Sequence, residues 1–126
     1  MSSEQSNSSA RTHAELSALL CAALTAPRDD VFDALYDVEG EDPSRRELVA
    51  SMRDETKSMF AAARDKLGGG KLELIEERTR SSDWVSLVRV EGGPEDGLKL
   101  ELIVGDVFER EGVVHTRDVI ELRVSA

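Results

Sequence analysis

The chain reads as one α+β domain, helices first and antiparallel strands after, on three observations. Apolar residues recur at helical spacing up to the Gly68-Gly69-Gly70 run. From Lys71 onward the pattern changes to short β-rich runs separated by turn residues. At 126 residues the chain is long enough for one core and too short for two. Segregated helices and strands of this kind predict three helices covering one face of a curved antiparallel sheet, with no parallel crossover.

Residues 1 to 11 read as a disordered tail and residues 12 to 126 as the single domain. The opening MSSEQSNSSA is Ser-rich, with one charged side chain, and buries nothing. Thr12 with Glu15 forms a capping box, and Leu16, Leu19, Leu20, Ala23 and Leu24 then recur at helical spacing until Pro27. A short second helix is expected over Val31 to Val38, with Asp29 or Asp30 as its N-cap and Gly40 as its stop. Ser44 with Glu47 offers a second capping box for the longest helix, whose apolar face is Leu48, Met52, Met59, Phe60 and Ala63.

Four strands should follow, over Leu72 to Arg80, Trp84 to Glu91, Leu98 to Arg110 and Val113 to Val124. Gly105, inside the third, marks a bulge or bend. Outward apolar residues such as Val119 have no partner within the chain, and a homodimer formed through the sheet would cover them.

Composition narrows the functional classes. The net charge of −10 argues against a nucleic-acid partner, which draws on clustered Lys and Arg. No apolar run approaches the ~20 residues that span a bilayer, and the first residues show no secretory signal, so a cytoplasmic protein with no membrane partner is expected. The single Cys21 lies in an apolar helical run and reads as a small core residue. The triple glycine follows a helix and lacks a Lys-Ser/Thr continuation, so it does not read as a phosphate loop. His13 and His115 have no base or nucleophile near them in sequence and read as surface residues, and no Gly-x-Ser-x-Gly elbow occurs.

The residue that calls for an explanation is Asp118. Period-two alternation from Val114 to Val124 sends it to the same face as Val114, Ile120 and Leu122. A carboxylate on a buried face needs a partner, a shifted pKa or a function. Arg89 and Glu91, two apart on the second strand, share a face with Val85 and Leu87. This is either the charged end of a concave site or a surface ion pair where the strand leaves the core.

The stretch Gly105 to Leu122, GDVFEREGVVHTRDVIEL, resembles the closing hairpin of the nuclear-transport-factor-like cone fold, in particular its limonene epoxide hydrolase and SnoaL-like polyketide cyclase branches. Arg117-Asp118 falls on the Arg-Asp of the hydrolase hairpin, and Arg89-Val90-Glu91 on its Arg-x-Asp. The first helix followed by Asp29 to Tyr36 resembles the family's opening. The resemblance implies that Asp118 protonates an epoxide oxygen, that Glu91 deprotonates water, that Arg89 bridges them and that Tyr36 helps hold the water. Such chemistry needs an acid and a base in different protonation states and no metal or organic cofactor. The expected function is therefore a small apolar molecule bound in a pocket, opened or rearranged without a cofactor. The alternative is a non-catalytic scaffold of the same fold that binds a ligand or dimerises.

Overall fold

The computed structural model describes residues 8–125 of the chain. It is an α+β arrangement of three helices, α1 (His13–Thr25), α2 (Asp29–Leu35) and α3 (Arg46–Leu67), followed by six strands: β1 (Lys71–Arg80), β2 (Asp83–Glu91), β3 (Lys99–Val104), β4 (Val107–Arg110), β5 (Val113–Thr116) and β6 (Glu121–Val124). Strands β1-β2-β3-β6 form one antiparallel sheet, and β4-β5 form a separate two-stranded ribbon.

The helix starts follow local chemistry. Thr12 accepts the Glu15 amide at 3.1 Å, and the Glu15 carboxylate reaches back to the Arg11 amide, one residue further than a capping box requires. The N-cap expected for the second helix and the capping box expected for the third do not form. α2 starts at Asp29 with Arg28 as N-cap and stops at Tyr36, well before Gly40. α3 starts after Arg45, whose side chain makes no capping bond, so Ser44 and Glu47 do not close a box. Its end is as expected: Gly68 adopts φ 56° and returns its amide to the Arg64 carbonyl. The buried side chains of α3 are Val49, Thr56, Phe60 and Leu67, with Met52, Met59 and Ala63 packed beside them, while Leu48 is exposed.

Side chains that pair across an antiparallel ladder share a face. One face of the sheet therefore carries Leu72, Leu74, Val88, Val90, Leu100, Leu102 and Val104. It packs with Leu16, Leu20, Leu24, Phe32, Val49 and Phe60 of the helices into one core. The other face is a lattice of ion pairs, Arg89–Glu73 at 2.6 Å and Arg78–Glu101 at 2.8 Å across strands and Arg123–Glu121 at 2.9 Å along β6, around Val85, Leu87 and Ile103. Ile75 is the extra residue of a bulge in β1.

Two expected strands each break in the middle, and the breaks face each other. The third divides at Gly105-Asp106, where Asp106 takes φ 48°, and the fourth at Arg117 to Ile120. A Cβ on Gly105 would lie 2.9 Å from Asp118 Oδ2 and 3.3 Å from Asp83 Oδ1, so only glycine admits that approach without a shift. Thr116 Oγ1 closes the corner by donating to the Gly105 carbonyl and accepting from the Asp118 amide. Beyond the breaks, β4-β5 turns away from the sheet and packs on α2.

Three expectations are corrected here. Residues 8–11, assigned to the tail, are tied down: Ala10 is buried and its carbonyl accepts the Val114 amide, while residues 1–7 lie outside the described part. Val119 stands in the break and does not project from the sheet as a dimer patch would. His115 is buried, because the odd face of β5 lies against α2, where its Nδ1–H donates to the Ala34 carbonyl at 3.0 Å.

Candidate functional site

The four side chains singled out from the sequence occupy two separate places. Arg89 and Glu91 lie on the sheet face turned away from the helices. There Arg89 donates to Glu73, lowering its pKa, and a hydrogen bond shared with Glu73 raises that of the fully exposed Glu91. The two do meet, through Glu73, but as a solvated cluster on an open surface.

Asp118 is at the other end of the sheet. It is exposed in the β5–β6 break, and its carboxylate accepts the Val119 amide at 2.9 Å and lies over Gly105 beside Asp83. Asp83 opens β2 and Arg89 comes six residues later, a path on the order of 20 Å along an extended strand. The inward placement of Asp118 is therefore corrected, and the acid–base relay of Asp118, Arg89 and Glu91 is not assembled. Alternation misleads here because the chain leaves the β conformation at Arg117, where the count of two is lost.

Tyr36 is buried, and its one hydroxyl proton is committed. The hydroxyl donates to the Asp118 carbonyl at 2.5 Å, so the Thr56 hydroxyl, 2.8 Å away, must donate to it. Thr56 Oγ1 in turn accepts the Ile120 amide at 3.3 Å. Burial pushes the phenol up to about 12. Tyr36 thus pins the strand break to α3.

A cavity lined by Leu, Val and Ala side chains lies elsewhere. A cleft of 310 Å³ opens between the last turns of α3 and the β3–β6 half of the sheet, lined by Ala63, Leu67, Leu98, Leu100, Leu122 and Val124 together with Lys66 and Glu95. α3 packs mainly against α1 and α2, and although Leu100 and Leu102 of β3 stay buried in the core, Leu122 of β6 is only half-buried and Val124 is exposed. Two other depressions flank α1. One, of 340 Å³, is bordered by Arg11 and Glu15, and the other, of 500 Å³, by Cys21 and the Gly69-Gly70 turn. Burial raises the Cys21 thiol to about 11, which keeps it protonated and unreactive.

A hydrogen-bonded chain under α1 was not legible in the sequence. Ser17 Oγ lies 2.6 Å from Glu77 Oε2 and 2.7 Å from Ser86 Oγ, and Ser86 Oγ lies 3.2 Å from His13 Nε2. An ionised Glu77 only accepts, so Ser17 gives it its proton in preference to the His13 carbonyl at 3.0 Å. Ser86 must then donate to Ser17, and His13 must donate from Nε2 to Ser86. His13 stacks on Trp84 with ring centroids 4.9 Å apart, and desolvation lowers its pKa against the raising field of Glu77. Ser17 and Ser86 are buried, so the chain fixes α1 to β1 and β2 and does not present a nucleophile. The available signal was Ser86 between Val85 and Leu87, a small hydroxyl on the helix-facing side of a core strand.

A second polar cluster joins the ribbon to the α2–α3 connection. Arg110 pairs with Asp37 at 2.5 Å, and Arg117 pairs with the buried Glu41 at 2.8 Å while lying 4.0 Å over the Phe108 ring. Burial would raise the Asp37 carboxyl, but the Arg110 hydrogen bond, the Gly40 amide and the nearby His115 and Arg110 charges together bring it below its usual range. Among the described residues no group of His, Cys, Asp and Glu could hold a metal ion, and no helix is long and apolar enough to cross a membrane. No family model, curated protein or solved structure matches the chain.

Proposed function

We propose that this chain is a non-catalytic ligand-binding domain of the nuclear-transport-factor-like cone class, and that it holds a small apolar molecule in the cleft between α3 and the β3–β6 half of the sheet. The observation that carries this reading is the cleft itself, whose six apolar lining residues leave only Lys66 and Glu95 to meet a polar end group. The volume is at the lower limit for small-molecule sites, which favours a compact hydrocarbon or short alkyl chain. An enzyme of the epoxide hydrolase or SnoaL-like kind needs its acid and base at one pocket. Asp118 and Glu91 stand at opposite ends of β2, and none of Asp118, Arg89, Glu91 and Tyr36 lines the cleft.

Binding of 1-anilinonaphthalene-8-sulfonate, read by fluorescence and competed with 1-octanol, tests the reading. The probe should brighten with the folded chain and be displaced by the alcohol. Ala63→Trp, which fills the cleft from the α3 side, should remove the signal while the circular dichroism spectrum is kept. A probe signal that survives Ala63→Trp unchanged would contradict the assignment of the cleft.

A further inference from the structure

Among the described residues the sheet has two free edges, and they are unlike. β1 is guarded by the Ile75 bulge and by Lys71, Glu73, Glu76, Glu77, Arg78 and Arg80, features that discourage pairing with another chain. β6 has no bulge or proline, its two charged residues Glu121 and Arg123 are of opposite sign, and Val124 on it is 62 % exposed. The ladder fixes which of its backbone groups are free. Ser125 donates its amide to the Lys99 carbonyl at 2.9 Å, so by alternation Glu121, Arg123 and Ser125 turn their N–H groups toward β3. Leu122 and Val124 turn theirs outward, and the side chains of those same two residues line the cleft.

We propose that β6 pairs with β6 of a second copy of this chain, antiparallel about a two-fold axis, with Leu122 opposite Leu122 of the second copy. The charges select this register. It sets Glu121 opposite Arg123 of the second copy, and the two-fold repeats the pair, giving two cross-strand ion pairs from two residues. Sliding the strands by two, so that Leu122 meets Val124 of the second copy, places Arg123 on Arg123 and sets like charges opposite each other. A chain of net charge −10 repels its own copies, so association needs a surface whose charges balance locally, as Glu121 and Arg123 do. The pairing continues the sheet from four strands to eight through Leu122, sets the Val124 amide toward the carbonyl of Ile120 of the second copy at the edge of the break, and brings the Leu122 walls of the two clefts together. It stands on the edge strand and does not require that the cleft hold a ligand.

Sedimentation velocity on the full chain at micromolar concentrations, with far-ultraviolet circular dichroism as the folding control, is the test. The unaltered chain should sediment as a concentration-dependent dimer. Val124→Pro removes an outward N–H that β3 does not use and should give a folded monomer. Glu121→Arg and Arg123→Glu should each weaken the homodimer by roughly tenfold, since each replaces two attractive pairs by two like-charge pairs. Mixed together, these two variants should form a heterodimer, because one then carries only cations and the other only anions at the facing positions. If Arg123→Glu, which places an anion beside Glu101, fails to fold, Val124→Pro and Glu121→Arg decide the matter. A monomeric unaltered chain, or a dimer indifferent to Val124→Pro and Glu121→Arg, would overturn the proposal. So would a failure of two folded charge variants to associate on mixing.

Discussion

The Tyr36 hydroxyl donates to the carbonyl oxygen of Asp118 at 2.5 Å, and through it a hydroxyl near the end of α2 holds the break between β5 and β6. The path runs from the Ile120 amide to Thr56, from Thr56 to Tyr36 and from Tyr36 to Asp118, and every proton in it has one acceptor. Removing a member strands a buried partner. Tyr36→Phe should therefore destabilise the fold by about 1–3 kcal/mol, as should Thr56→Val, whose shape is nearly kept. Urea denaturation with an unchanged slope checks it, and a loss well below this range for both would mean that water replaces the hydroxyls.

Asp118→Asn should change stability little, by about 0.5 kcal/mol or less, because the side chain is exposed and its amide oxygen can still accept the Val119 N–H. The same variant should bind an apolar probe in the cleft as the unaltered chain does. A large effect on either readout would return Asp118 to the functional site.

Ser17→Ala should cost on the order of 1–3 kcal/mol, since it leaves the Ser86 proton and the Glu77 carboxylate without each other's chain. Ser86→Ala should cost a similar amount, and the double variant less than the sum, because both act in one network. Strict additivity in a double-mutant cycle under denaturant would count against the directed chain from His13 to Glu77.

Burial holds the His13 imidazole below its ordinary value of 6.5. The unfolded chain therefore takes up its proton first as pH falls. The His13 contribution is complete above about pH 6.5 and diminishes below it, levelling off once pH passes the folded-state midpoint. The ring is only half-buried, so solvent screening keeps the effect small. An NMR titration of the His13 Cε1–H should give a midpoint under 6.5, and a midpoint above it would show that the Glu77 field outweighs desolvation.

The sequence carried the elements whose signals are local and lost those set by tertiary contacts. Thr12, Pro27, Gly68 and the alternation of Leu98, Leu100, Leu102 and Val104 each reported a real boundary or face. Gly105 was legible as a bend, but its consequence was not, because the opposing break at Arg117 to Ile120 is imposed by Thr56 and Tyr36 from distant helices. Asp118 was therefore assigned to the wrong side, and His115 was too because α2 covers the odd face of β5. For α3, the expected apolar stripe began at Leu48 where the buried one begins at Val49, because Thr56, a polar residue no hydrophobic stripe includes, faces the core to meet Tyr36. The cleft left no mark in the sequence either, since Leu122 and Val124 continue the same alternation as the core residues and only the structure shows them left partly open beside the buried Leu100.

The most direct measurement is a chemical-shift titration of the labelled chain with 1-octanol. The account predicts saturable shifts at Ala63, Leu67, Leu100, Leu122 and Val124, with Arg89, Glu91 and Asp118 unmoved. Shifts gathered instead around Asp118, together with diol formation from a simple epoxide that Asp118→Asn abolishes, would contradict it.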